Sequence, residues 1–194
     1  ILVIRDSFHT PLSESKLWII PVTTEQSHEK NWYTENNWLK INALPEGPHA
    51  SISFLYAFNR NVTMDFDLKP LSERVNLVLY FLESGNSVVV GNGDDHSIAL
   101  IHKGGIKKGE DFFLTPDKTY RVRIIRETST YKIFIKEASS DTGAINGIFS
   151  GLIPVLIFTD PTPTLISDHI GFTAWGGTEG FQIRNVMVSG YALY

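Results

Sequence analysis

Asp65 and Asp67 stand two residues apart in the stretch Asn61-Val62-Thr63-Met64-Asp65-Phe66-Asp67-Leu68-Lys69-Pro70. On an extended strand that spacing puts both carboxylates on one face, about 7 Å apart by strand rise. Such a pair could suit acid and base work, but it is more commonly what an ordinary solvated strand face carries. Arg121 and Arg123 repeat the spacing in Tyr120-Arg121-Val122-Arg123-Ile124, and Arg184 follows Phe181-Gln182-Ile183. Guanidinium forks grip carboxylates bidentately. With Asn76 beside them and Tyr80 or His102 as proton acceptor, these arginines make a set able to neutralise an acidic ligand and take a proton next to its carboxylate. The alternative is that they pair with Glu127, Glu137 and Asp65 across exposed strands.

Three further groups have usable chemistry. Asp94 and Asp95, with His96, lie in a glycine-flanked turn and offer oxygens to Ca²⁺, although Asn, Asp and Gly are also what a tight turn requires. The six histidines show no HExxH or HxH spacing, so zinc has no support, and no cofactor is required. His102 and His169 fall at strand ends, where a base meets a substrate or a histidine is simply solvated. Trp175 follows Ala174 and precedes Gly176-Gly177, with Glu179 in the same turn. Its indole is offset from the Phe172 face and so is a candidate exposed platform, while Trp32 and Trp38 bracket a strand-turn-strand segment that needs at least one of them in the core.

The elements that carry these residues are strands. Period-2 alternation recurs and no long stretch has helical period, so the chain reads as all-β. Val62, Met64, Phe66 and Leu68 form one inward set. Val75, Leu77, Leu79 and Phe81 form another, on a strand apolar on both faces and therefore central. Residues 87–101 read as strand, Gly-Asn-Gly-Asp-Asp turn and strand; residues 118–137 read as a hairpin with Tyr120, Val122 and Ile124 inward and its turn at Thr128–Thr130. Ile170, Phe172 and Ala174 share a face, Phe181 and Ile183 restart the pattern, and Val186 and Val188 keep it only if the strand bulges near Arg184-Asn185. The stretch 138–151 is the only loop with room for an irregular excursion.

The chain has 194 residues, 42% of them hydrophobic, and a net charge of −4. That suffices for one core, so residues 1–194 read as a single domain. No cationic block exists, which argues against nucleic acid as a partner. The longest apolar run, Ile145 to Phe158, is broken by glycines and a proline and is too short to span a bilayer as a helix. Without cysteine there are no disulfides or thiolate sites, compatible with the cytosol or with secretion. Asn61-Val62-Thr63 is the one N-glycosylation acceptor pattern.

The order of segments resembles the concanavalin A-like jelly-roll domains, a β-sandwich of two antiparallel sheets. The resemblance rests on Ile4-Arg5-Asp6-Ser7-Phe8, the 61–70 strand, the 120–137 hairpin, Phe158-Thr159-Asp160-Pro161-Thr162-Pro163 before His169-Ile170-Gly171-Phe172, and the closing Phe181-Gln182-Ile183-Arg184-Asn185. Where the pattern often has Asn-Gly at the hairpin's return, this chain has Lys136-Glu137-Ala138. The resemblance implies glycan or polysaccharide as partner, bound or cleaved, and a secreted or extracellular setting. The E-x-D-x-x-E signature of one jelly-roll glycosidase group is absent. Three functions therefore stand open: a binding domain with Trp175, Asn76, Arg184 and Glu179 as ligand contacts; a lyase on uronate-containing chains using Tyr80, His102, Arg121 and Arg123, or a hydrolase; and a sandwich recruited for interaction or small-molecule chemistry.

Overall fold

The computed structural model describes residues 1–19, 31–47, 49–81, 85–91, 97–102, 105–138, 149–163 and 168–193. Among them there are fourteen strands and no α-helix. The strands are β1 (Leu2–Asp6), β2 (Trp18–Ile19), β3 (Trp32–Glu35), β4 (Trp38–Ile41), β5 (Ala50–Pro70), β6 (Asn76–Phe81) and β7 (Asn86–Gly91). They continue as β8 (Ser97–His102), β9 (Gly105–Asp111), β10 (Tyr120–Glu127), β11 (Thr130–Glu137), β12 (Leu156–Thr159), β13 (Asp168–Ala174) and β14 (Phe181–Leu193).

All pairings are antiparallel, and β5 organises them. Its 21 residues belong to two layers in turn. The first half, from Ala50 to Phe58, pairs with β13 and briefly with β2, and β6, β7, β8 and β9 extend that layer outward from β13. The second half pairs with β10 on one side, through Val62 to Leu68, and with β14 on the other. β11 and β12 extend this layer beyond β10. We call the layer with β10 and β14 the first sheet and the layer with β13 and β6 the second.

The inward sets meet between the layers as their alternation requires. Phe66 of the first sheet lies edge-on to Phe172 of the second at 5.4 Å, and Tyr131 of β11 lies edge-on to Phe81 of β6 at 5.4 Å. Val62, Met64, Leu68, Val122, Ile124, Leu77, Leu79, Ile170 and Val188 fill the space around them. Val78, on the outer face of β6, is also buried, as expected of a central strand flanked by β13 and β7.

The break in alternation at Arg184-Asn185 is a bulge. The register of β14 against β5 shifts between Arg184 and Met187, and Asn185 takes φ 52°. At the same point β14 exchanges one neighbour for another: Gln182 and Ile183 pair with β4, Val186 to Gly190 with β1. The hairpin of β10 and β11 closes between Glu127 and Thr130 with Thr128 at φ 57°. A β-branched residue is costly in that left-handed region, by about 1–2 kcal/mol. Thr128→Gly is expected to raise stability by about 1 kcal/mol, read as a shift of the urea midpoint at unchanged slope. No gain would mean that the turn carries no strain.

Candidate functional site

The arginines and aspartates picked out by their spacing come together on the outer face of the first sheet. Strand order explains it: β10 lies beside β5 with Arg121 opposite Asp67 and Arg123 opposite Asp65. Arg121 donates from Nε to Asp67 Oδ1 at 2.6 Å and from its terminal nitrogen to Oδ2 at 3.0 Å. Arg123 does the same to Asp65, at 2.6 and 2.9 Å. Asp67 Oδ2 also accepts from Asn185 Nδ2 at 2.8 Å and has Arg184 Nε at 3.4 Å. The Arg184 guanidinium lies 4.3 Å over the Trp38 ring, and that of Arg123 lies 4.6 Å over Phe149. Asp65 and Asp67 are each 1% exposed and Arg121 6%. The reading of Asp65 and Asp67 as a solvated face is thereby corrected. They are covered because cationic forks and aromatic rings close over them.

Glu127 and Glu137, set down as arginine partners, instead take Lys132 at 2.7 Å and Lys118 at 3.0 Å. In the lattice of three arginines and two aspartates each carboxylate holds a fork, so a ligand's carboxylate would compete with Asp65 and Asp67 for Arg121 and Arg123. Desolvated pairs of this geometry are held tightly once formed and are costly to break. The lattice ties β5, β10 and β14 together.

Asn76 and Tyr80 lie on β6, in the second sheet, and so on the other layer from the three arginines. The structure does not bring them into one cradle. Tyr80 pairs in register with Gly171 and Ser87, and His102 with Asn86 and Gly105; the side chains of both lie outside the described residues, as do Asp94, Asp95 and His96 altogether. Among the described residues no group of three or more His, Asp or Glu side chains is placed to hold a metal. His169 is paired with Ala57 beside the irregularity in β13.

The second sheet presents a different surface. Its outer face carries a row running Ser51, Thr173, Val78 and Val89 in register, with the Ser51 and Thr173 hydroxyls 2.8 Å apart. One step along, Asn76 pairs with Gly91, and Trp175 donates its backbone N–H to the Asn76 carbonyl at 2.9 Å. The turn from Trp175 to Gly180 is stitched to two other loops. Gly177 N–H reaches the Leu44 carbonyl at 3.0 Å, Leu44 N–H the Thr178 carbonyl at 3.0 Å, and Glu179 N–H the Arg74 carbonyl at 3.0 Å. Gly177 passes under the Arg74 guanidinium at φ 82°, a backbone conformation in which any side chain would be strained. The turn thus reverses the chain and also holds a half-buried Trp175, with its ring 6.1 Å from that of exposed His49. Exposed Glu179, and an exposed Arg74 with Glu46 at 3.6 Å, complete the rim. His49, Arg74 and Glu46 sit in loops with no periodic signal; the backbone bonds of Leu44, Pro45 and Arg74 to the Trp175 turn and the ring contact of His49 reveal that these loops belong there.

This rim can stack a flat apolar ring face against an indole and offer hydroxyl, amide, carboxylate and guanidinium partners around it. A second polar group is buried at the opposite end of β6: Asn86 Nδ2 donates to Tyr131 Oη at 2.9 Å and to Asp160 Oδ2 at 3.2 Å. Asp160 Oδ1 accepts from Thr162 N–H at 2.9 Å, so the Asp-Pro-Thr-Pro stretch is an Asx-type turn anchored in the core.

No protein-family model matches the chain, and no curated protein matches it in sequence. Solved structures are similar to it in fold. A galectin-like protein of unknown function from Bacillus subtilis matches over 98% of this chain and 96% of its own, at 14% identity and a TM-score of 0.66. The carbohydrate-binding module CBM66 from Bacillus subtilis matches over 90% and 98%, at 12% identity and 0.60. The exoplasmic/lumenal domain of VIP36, in a form bound to Ca²⁺ and Man3GlcNAc, matches over 89% and 82%, at 10% identity and 0.62. The chain also matches a sialidase over 97% of its own length at a TM-score of 0.60, spanning 18% of that longer protein. At such identities the likeness concerns the fold. The chain is a concanavalin A-like jelly-roll β-sandwich, the architecture it shares with the galectin-like protein and the carbohydrate-binding module.

Proposed function

We propose that the domain binds a glycan on the outer face of its second sheet, with Trp175 as the stacking platform. The observation that carries this reading is the Trp175 indole, held beside His49 by a turn bonded to two neighbouring loops, at the end of a face lined by Ser51, Thr173 and Asn76. A rigid aromatic beside hydroxyl and amide groups matches a sugar ring, which has an apolar face and a polar edge. The fold's occurrence in carbohydrate-binding neighbours supports the same assignment. Glycan cleavage is less well supported, because Asp65 and Asp67, the carboxylates paired by spacing, each hold an arginine.

The test is a titration across neutral and uronate-containing polysaccharides, with new reducing ends followed in parallel. A glycan that binds the wild type should bind Trp175→Ala about tenfold more weakly, the ~1.4 kcal/mol of one decade. Equal affinity for the two proteins would remove Trp175 from the site, and released reducing ends would replace binding by catalysis. Repeating the titration with a chelator reads out any part played by Ca²⁺ at Asp94 and Asp95.

A further inference from the structure

The acceptor pattern Asn61-Val62-Thr63 has no part in the reading above, and its placement is specific. It lies within a strand, in the second half of β5, where Val62 is buried in the core and strand alternation turns Asn61 and Thr63 outward together. Asn61 is exposed. Its Oδ1 accepts the backbone N–H of Thr128 at 3.0 Å, which orients the amide and leaves Nδ2 with no hydrogen-bond partner among the described residues. Thr63 lies between Ser189 and Ile125 in register, so no bulky charged group crowds it from either neighbouring strand.

Next to the amide is a groove of about 470 Å³ lined by Asn61, Thr63, Ile125, Glu127, Ser189 and Tyr191, among others. Tyr191 and Ile1 are exposed on its margin. Gly190 also lines the groove, and a Cβ added there would come within 2.8 Å of the Asn61 carbonyl oxygen. The space beside Nδ2 is therefore large enough for a sugar ring and offers it a phenol, hydroxyls and an aliphatic floor.

We propose that Asn61 is an N-glycan acceptor when the chain passes through a eukaryotic secretory pathway, with the first sugar seated in this groove. The Asn61 amide nitrogen forms a bond to the anomeric carbon of a lipid-pyrophosphate-linked oligosaccharide. The anomeric C–O bond breaks with its electron pair leaving on the pyrophosphate, and one amide proton is released. The Thr128 bond to Oδ1 survives the reaction, because only Nδ2 is substituted. The acceptor belongs to the first sheet, so the attached sugar leaves the Trp175 rim of the second sheet open.

The experiment is secretion of the full chain from a eukaryotic host, followed by intact mass before and after peptide-N-glycosidase. The wild type and Thr63→Ser should each carry one enzyme-removable glycan; Thr63→Ala, which keeps the Asn61–Thr128 bond, should carry none. A secreted, folded wild type of unmodified mass would overturn the proposal, as would a glycan retained in Thr63→Ala. Neither result depends on whether the Trp175 face binds anything.

Discussion

Asp67→Ala should lower the stability of the domain by about 3–5 kcal/mol, the cost of stranding one partner of a buried ion pair. Asp67 accepts both nitrogens of the Arg121 fork and the Asn185 amide, and Arg184 stands within ion-pair distance. Without it Arg121 would remain buried and charged with no carboxylate to face, because neighbouring Asp65 is already engaged by Arg123. The loss would spread to the bulge, where Asn185 is held at φ 52° partly by its bond to Asp67. In a domain of this size the thermal midpoint should fall by about 10 °C. Replacing both partners, Asp67→Leu with Arg121→Met, should recover most of the loss, since an apolar pair needs no counter-charge. A single-mutant loss below about 1 kcal/mol would place the pair with ordinary exposed ion pairs and contradict the burial described above.

Gly91→Ala should be more damaging still, costing more than about 4 kcal/mol or preventing folding. A methyl group at Gly91 would overlap the main-chain carbonyl of Val75, and backbone cannot swing aside as a long side chain can. Relief would require β7 to move away from β6, breaking the pairing of Gly91 with Asn76 and so the support of the Trp175 turn. Far-ultraviolet circular dichroism and a denaturant titration of the purified variant would measure it. A wild-type midpoint would show that the two strands can separate without penalty. If the variant folds weakly, the glycan binding proposed above should weaken too, because Asn76 no longer holds the start of the Trp175 turn in place.

Much of the fold can be read from alternation. The inward faces of the strand at 61–70, of the 120–137 hairpin and of the strands at 170–174 and 181–188 are where periodicity puts them, and the broken beat at Arg184-Asn185 is the bulge. What periodicity cannot supply is strand order. Asp65 and Asp67, two apart, face Arg121 and Arg123, also two apart, and the matching interval is the available signal of their partnership. Without knowing that β10 lies beside β5, the same residues read as four separate surface charges. The length of β5 was hidden for a related reason. Its first half pairs with β13 and its second with β10, so one strand serves two layers, and a local pattern does not reveal a change of neighbours. The Trp175 rim was half legible: the glycine turn announced itself, while Arg74 arrives from its loop by a backbone bond and His49 by a ring contact, neither of which a local sequence rule encodes.

The position of β14 has a consequence for synthesis. This strand lies inside the first sheet, with β5 on one side and β4 and then β1 on the other. Until residues 181–193 have left the ribosome, β1 and β4 have no partner joining them to β5, and that edge of β5 stays open. The hairpin of β10 and β11 can close early on local contacts, but the sheet must wait for strands far apart in the chain to meet. A nascent domain therefore spends its longest interval with an unpaired, largely apolar strand edge, the state from which chains of this kind aggregate. Arrest of translation before residue 181 should leave a chain that engages chaperones, and release of the final strand should end that engagement in one cooperative step.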